Sequence, residues 1–254
     1  MKTQHPTYFF MKINYYIVNP GGNITAIVQG KFAKRIKLEI TKKILKNNPT
    51  IEQVGFWTNA KNKKFDARLE MAGGEFCGNA LRALGSMLFL KYNKKFLYIE
   101  SPIFKIPIKV NCSRNKSSIS LPLSFFTYKD NICSMPGIIY ILQNKKVRKS
   151  NAKFILSKNR LLGKKASGVI GYEIAKNKLQ IYPNVWVRDT KTMYAETACA
   201  SGTLALAYML YKKIGVKKLN IKQPSGFIFK TIIIKKEIKL SGPIISIKKE
   251  TTNI

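Results

Sequence analysis

Alternating apolar and polar residues dominate the chain. They predict strands over residues 14–28, 97–110, 118–123, 137–142, 179–187 and 227–234, because side chains along an extended backbone point to two faces in turn. Apolar residues spaced three and four apart predict helices over 34–46, 79–92 and 201–214. Strands thus flank a few helices in each half. That order predicts an α+β fold with mixed or antiparallel sheets.

One segment recurs. Residues 73–88 read GGEFCGNALRALGSML and residues 195–210 read AETACASGTLALAYML. Each places a glutamate shortly before a cysteine, then small or helix-capping residues, then an Ala/Leu-rich helix. Cys77 and Cys199 stand 122 positions apart, close to half of the 254 residues. Two similar lobes, each presenting one cysteine at a helix start, are the simplest reading.

Composition narrows the chemistry. An apolar content of 45% over this length supports one large domain or two small ones with real cores. Nothing reaches the run of about 18 apolar residues that a membrane helix needs. Lys12 and Asn14 interrupt the N-terminal apolar stretch, and no small-residue cleavage site follows it. A cytoplasmic protein without a membrane partner is expected. Met11 offers an alternative start, so residues 1–10 are expected to form an extension outside the fold. The net charge of +34 invites a nucleic-acid reading. However, the excess is nearly all lysine, scattered in ones and twos, as codon bias in an AT-rich genome produces. Nucleic-acid readers favour the arginine fork, and no specific nucleic-acid partner is expected.

The four cysteines, Cys77, Cys112, Cys133 and Cys199, form no C-x-x-C pair, and a disulfide framework is not expected. The one histidine, His5, lies in the expected extension. Without it, a Ser-His-Asp triad, a Cys-His pair and a histidine-rich metal site are ruled out, and no metal is expected. Acid–base work near neutral pH falls to cysteine, carboxylate, lysine or tyrosine.

The two matched cysteines suit such work. Each precedes a helix whose first amides lack partners, with Asn79 and Ser201 as suitable caps. Those amides and the helix dipole favour a thiolate, so each thiol is expected to move from about 8.5 toward neutrality. Inverting a stereocentre means taking a proton from one face and returning one to the other. A thiolate and a thiol on opposite sides do this, exchanging roles with direction. The carbanion at an amino-acid α-carbon needs an electron sink. Two helix N-termini aimed at the carboxylate would serve, while abundant lysine leaves a pyridoxal phosphate Schiff base open on composition. A single cysteine at the start of a buried helix is more often a small core residue. Two matched sites in a chain without a usable histidine reverse that balance. Cys112 and Cys133 lack the context and receive no role. Glu75 and Glu196 either favour the helix dipole or orient substrate.

These segments resemble the diaminopimelate epimerase family, whose catalytic cysteines sit in C-G-N and A-C-G-S/T-G contexts. Here they read FCGNALR and TACASGTLA. The chain is more similar still to the histidine racemase branch that serves staphylopine-type metallophore synthesis. VNPGGNITAIV, EQVGF, MAGGEFCGNA, ETACASGTLAL, QPSGFI and LSGPI follow the family's order along the chain. The resemblance implies two pseudo-symmetric lobes, each a strand-rich barrel-like sheet around a central helix, with the site in the cleft. It implies lobes at 11–115 and 116–242, and a final strand over 243–254 returning to the first. It implies a free amino acid as substrate, no cofactor and a homodimer. Cys77 and Cys199 take the places of the two bases. Gly78, Asn79, Ala200 and Ser201 take those of the carboxylate-binding helix starts. Asn23 matches a substrate-contacting asparagine, and Gln53, Arg188 and Glu196 are further substrate-binding carry-overs.

There are departures. Ala200 replaces the usual glycine after the second cysteine, and its methyl is expected to narrow the site or shift the backbone. Arg68 stands near the place of an upstream asparagine, and V-R-D at 187–189 replaces E-R-G. These changes argue against diaminopimelate as substrate and for another amino acid, with histidine leading. The alternatives are a diaminopimelate epimerase of lysine or cell-wall synthesis, and a non-catalytic amino-acid-binding relative. Phenazine-pathway isomerases share the fold but lack the cysteine pair.

Overall fold

A computed structural model describes residues 11–175 and 178–253. The expected extension at 1–10, with His5, lies outside the described residues. In the first half, a hairpin of β1 (Lys12–Asn19) and β2 (Thr25–Gln29) leads to α1 (Lys34–Asn47), β3 (Gln53–Thr58) and β4 (Ala67–Met71). Then come α2 (Gly78–Tyr92), β5 (Phe96–Glu100), β6 (Ile108–Ser113) and β7 (Lys116–Pro122). The second half runs β8 (Thr127–Lys129), β9 (Ile132–Met135), β10 (Ile138–Gln143), α3 (Lys149–Lys158), β11 (Ala166–Ala175), β12 (Lys178–Val187) and β13 (Thr192–Ala195). It ends with α4 (Ala200–Ile214), β14 (Lys218–Lys222), β15 (Ile228–Ile234), β16 (Glu237–Pro243) and β17 (Ser246–Asn253).

The two halves repeat one pairing rule. β2 and β3 are parallel, β3 and β4 antiparallel, β4 and β5 parallel, then β5–β6 and β6–β7 antiparallel. β10–β11, β11–β12, β12–β14, β14–β15 and β15–β16 follow the same sequence of directions. A parallel pair needs a crossover. The four crossovers carry α1, α2, α3 and α4. Each half is a barrel-like sheet wrapped on a central helix, α2 or α4. Both helices are apolar nearly all round, and all residues of α2 from Gly78 to Leu88 are buried. β7 pairs with β16 and joins the halves. β17 returns to pair antiparallel with β1 along its whole length.

Differences from the sequence expectations have local causes. The run at 14–28 is two strands, broken where Gly21, Gly22 and Asn23 take positive φ of 87°, 96° and 53°. The Asn19 side chain accepts from the amides of Gly21 and Gly22 and closes that turn. The break is marked in the sequence by NPGGN at 19–23, and the single strand expected over 14–28 runs through it because strand-like residues resume directly on the far side. The run at 97–110 is likewise split between β5 and β6. Helix α3 went unpredicted because it buries little: Ala152 and Leu156 face the core while Phe154 is exposed. Among the described residues no helix is long and apolar enough to cross a membrane.

Where the chain re-enters the first half, α2 supplies a fully buried cation. Arg82 donates to the carbonyls of Ser117, Pro20 and Pro243 and to Asn79 Oδ1. Its guanidinium lies 4.6 Å over the Phe229 ring. Burial lowers its pKa to about 9, still protonated at neutral pH.

Candidate active site

Cys77 and Cys199 are themselves the N-caps of α2 and α4. Each has extended backbone, with φ −132° and −134°, which turns its side chain back over the helix start. The two sulfurs accept from the amides of Ala80 and Gly202, each at 3.2 Å. Asn79 and Ser201, expected as caps, instead sit inside the first turn. The amides of Gly78, Asn79, Ala200 and Ser201 precede Leu81 and Thr203, the first donors to a helical carbonyl, and so make no helical hydrogen bond.

Both thiols and both helix starts line one cavity of about 20 Å³. That is room for about one water and less than an amino acid fills. At the contact between the helix starts, a β-carbon added to Gly78 would lie 2.9 Å from the Ala200 methyl. The methyl feared from the sequence therefore occupies space that Gly78 leaves open. Cross-lobe hydrogen bonds hold the closed form. Thr197 donates through N and Oγ1 to Glu52 and accepts from the Asn23 amide at 2.7 Å. Asn79 Nδ2 reaches the Ala198 carbonyl at 3.1 Å, and Ser225 Oγ reaches that of Gly21 at 2.9 Å.

Asn23 lines the cavity fully buried, with its side chain beside the Glu196 carboxyl, and neither its amide oxygen nor its nitrogen makes a well-aligned hydrogen bond among the described residues. A buried amide left unpaired is costly, so its position suits a ligand. Gln53 bridges: its Nε2 donates to Glu196 Oε1 at 2.8 Å and its Oε1 accepts from the Cys77 thiol at 2.6 Å. Arg188 does not reach the cavity. It is half exposed and donates to Asp189 and the Gly163 carbonyl, because the turn after β12 points it outward. Residues without a sequence signal for this site are Tyr140, whose hydroxyl lies 3.4 Å from Cys199 Sγ, and Gln223, whose Oε1 accepts from the Cys199 amide at 3.0 Å. A second cavity of about 40 Å³ shares Gln53, Glu75 and Glu196 and extends past Glu52 and Tyr194.

The expected lowering of the thiol pKa values is not what the closed site produces. Burial pushes both thiols up, and the nearby Glu196 pushes in the same direction. The Ala80 amide at Cys77, and Tyr140 and Ser201 at Cys199, offset this in part. Removing a thiolate's water outweighs the helix amides here. Burial also raises Glu75 from 4.5 to about 7 and Glu196 from 4.5 to about 8. Both carboxyls therefore keep protons that the unfolded chain releases near 4.5. Their stability contribution is full below that value and is lost as pH rises through about 7 and about 8. The melting temperature is expected to fall between pH 5 and pH 9, roughly the span of those two values. In Glu196→Gln the slope flattens, as thermal melts across that range would show.

Burial holds the free thiols of Cys112 and Cys133 at about 11 and about 12. Among the described residues no group of three or more His, Cys, Asp or Glu is placed to hold a metal ion.

Two barrel-like lobes meeting over paired, cysteine-capped helices define an isomerase of the racemase and epimerase class. The chain belongs to the family described as the histidine racemase CntK N-terminal domain, whose model matches residues 12–116 and again 100–247. The double match agrees with the repeated pairing rule. A histidine racemase of Fusobacterium nucleatum subsp. nucleatum is 29% identical over 257 residues, covering 91% of this chain and 94% of that one. In structure, a hydroxyproline epimerase from Agrobacterium vitis matches with a TM-score of 0.67 at 11% identity, covering 96% of this chain and 93% of that one. A phenazine biosynthesis PhzC/PhzF protein from Clostridium difficile matches at 0.65 and 16% identity, covering 95% and 100%.

Proposed function

We propose that this enzyme racemises free histidine by 1,1-proton transfer at the α-carbon, with Cys77 and Cys199 as the two bases. The observation that carries the reading is that two cysteine-capped helices, one from each lobe, end on one cavity. One thiolate takes the α-proton. The opposite thiol returns a proton to the other face, and the roles exchange in the reverse direction. The amides at Gly78, Asn79, Ala200 and Ser201 receive the substrate carboxylate and the charge that develops on it. The unpaired amide of Asn23 and the carboxyl of Glu196 orient the rest of the substrate.

Among the described residues no lysine lines either cavity; the proposed reaction uses no pyridoxal phosphate. Glu52, Glu75, Glu196 and Tyr194, at the second cavity, are acceptors for imidazole N–H groups. The relatives described as histidine racemases support the same substrate. We further take the lobes as 11–115 and 116–242, with 243–254 added to the first, in a cytoplasmic homodimer that serves metallophore synthesis.

The test is incubation of purified protein with single L-amino acids in D2O. L-histidine is expected to gain α-deuterium and lose optical rotation, and diaminopimelate is expected to remain unchanged. Exchange on diaminopimelate alone would sink the histidine reading. Binding of histidine with no exchange at all would sink the enzyme reading.

A further inference from the structure

The repeat makes the two thiols comparable atom by atom, and their surroundings differ. In the parallel pair β2–β3, Ile27 stands opposite Gly55. In the equivalent pair β10–β11, Tyr140 stands opposite Gly168. A β-carbon on Gly168 would come within 2.6 Å of the Tyr140 ring, so this glycine seats the ring. Two residues before these glycines stand Gln53 in the first lobe and Ala166 in the second. Two residues after the cysteines stand Asn79 and Ser201. In two of the three equivalent pairs a polar side chain on one side answers an apolar one on the other, and in the third an amide answers a hydroxyl.

The consequence is a difference in donors. Cys77 Sγ has the Ala80 amide as donor, but on its other side lies an acceptor, Gln53 Oε1 at 2.6 Å. Gln53 is held that way round because its Nε2 donates to Glu196. Asn79 turns away, to Ala198 and Arg82. Cys199 Sγ has the Gly202 amide and two hydroxyls, Tyr140 at 3.4 Å and Ser201 at 3.6 Å. Those hydroxyls bond to each other at 2.7 Å, which uses one of their two protons and leaves one for sulfur.

We propose that the free enzyme holds its protons unequally: Gln53 keeps Cys77 as the thiol, while Tyr140, with Ser201, keeps Cys199 as the thiolate. Tyr140 is then a positioning residue for the starting base. This rests on the two-thiol reading above. The balance is simple. Cys199 thiolate takes the α-proton and becomes a thiol, Cys77 gives its S–H proton to the opposite face and becomes the thiolate, and the negative charge crosses the site. The free enzyme then returns a proton from Cys199 to Cys77 before the same enantiomer can react again. The charged and titratable groups facing these sulfurs are Glu75 and Glu196 at Cys77, and Glu196 and Tyr140 at Cys199, with Arg82 behind α2. Burial raises the Cys199 thiol and Glu196 adds to that by charge and by a side-chain hydrogen bond, against which Tyr140 and Ser201 lower it; at Cys77 the amides of Ala80 and Asn79 lower the thiol, and the Arg82 cation attracts its thiolate form.

The test is brief alkylation of substrate-free enzyme with iodoacetamide between pH 6 and 9, a window on the order of that in which thiols titrate, with labelled peptides quantified by mass spectrometry. Access alone favours Cys77, which is 7% exposed against 2% for Cys199. The proposal expects the reverse, Cys199 labelled about tenfold faster, the size of one hydrogen bond to a charged group. Tyr140→Phe is expected to cut that preference, Tyr140→Phe/Ser201→Ala to abolish it, and both to shift the pH profile of Cys199 labelling upward with the melting temperature nearly unchanged. Gln53→Leu is expected to speed labelling of Cys77. Because the equilibrium constant of racemisation is one, kcat/KM stays equal in the two directions, so any change that Tyr140→Phe makes to kcat/KM is the same for both enantiomers.

Cys77 labelled first in the native enzyme, or an undiminished Cys199 preference in the double variant, overturns the proposal. Failure of the parent reading looks different. If Cys199 labels first but Cys77→Ser racemises at full rate, the two-thiol mechanism is wrong. If both serine variants are inactive and Cys77 labels first, the mechanism stands and the unequal protonation does not.

Discussion

Serine at position 77 or 199 is expected to lower racemisation by about 10²–10⁴-fold, the usual worth of a positioned acid or base. The fold is expected to survive. Each cysteine caps its helix through a single accepted amide, at Ala80 or Gly202, and serine is among the best residues for that task. The loss is chemical, because a buried hydroxyl holds its proton far more tightly than a thiol. The two variants should also differ from each other. With one thiol left, the α-proton of one enantiomer can be removed and replaced on the same face, giving exchange with retention. The retained exchange should follow opposite enantiomers in Cys77→Ser and Cys199→Ser. Polarimetry and proton NMR in D2O, run on L- and D-histidine separately, check both statements. Full racemisation in either variant would end the two-base account.

Alanine at position 78 is expected to cost nearly as much activity without touching a thiol. Gly78 has ordinary φ, so backbone strain is not the issue. The added β-carbon would come within 2.9 Å of the Ala200 methyl and 2.9 Å of Ile119 Cδ1. Ile119 can turn, but Ala200 belongs to the first turn of α4 and cannot. Relief therefore pushes the two helix starts apart. Overpacking of this kind costs about 1–3 kcal/mol, about 2–4 °C of melting temperature per kcal/mol in a chain of this size. The thiols ride on those helix starts, and a shift of about 1 Å is worth about 10²-fold in rate. Ala200→Gly in the same chain should restore most of both losses, and Ala200→Gly alone should be nearly silent. Melting curves and kcat for the three variants decide the matter. An unrescued double variant would mean that Gly78 matters for reasons other than this contact.

This pair also explains the departure noted at Ala200. A cysteine followed by alanine in one lobe is compatible with the site because the other lobe has glycine at the matching position. The sequence displays both residues, but not that they touch. That contact needs α2 and α4, 122 positions apart in their cysteines, to be brought together by the pairing of β7 with β16 and β17 with β1.

Local information was sufficient for whatever depends on neighbours along the chain. The three helices with a strong apolar period, the cysteine before each central helix and the repeat itself were legible because helix formation and helix starts are set within a few residues. The turn at Gly21–Asn23 was also written locally, as NPGGN at 19–23, and the strand expected over 14–28 overran it because strand-like residues continue on both sides. Arg188 occupies a carried-over motif position, and only the fold shows that its side chain turns to Asp189 and the Gly163 carbonyl.

The folded arrangement alone decided what surrounds each thiol. Near a helix start a cysteine is inclined toward the thiolate. In the closed site, however, water is displaced by packing from the other lobe and Glu196 stands close by, so burial outweighs the amides and raises both thiols. Tyr140 and Gln53 acquire their roles in the same way. Parallel pairing sets Tyr140 against Gly168, and closure of the second lobe brings the Glu196 carboxyl to Gln53. Helix and cysteine pattern are short-range properties written into consecutive residues, whereas solvation and hydrogen-bond partnership belong to the space between lobes, which exists once the chain has closed on itself.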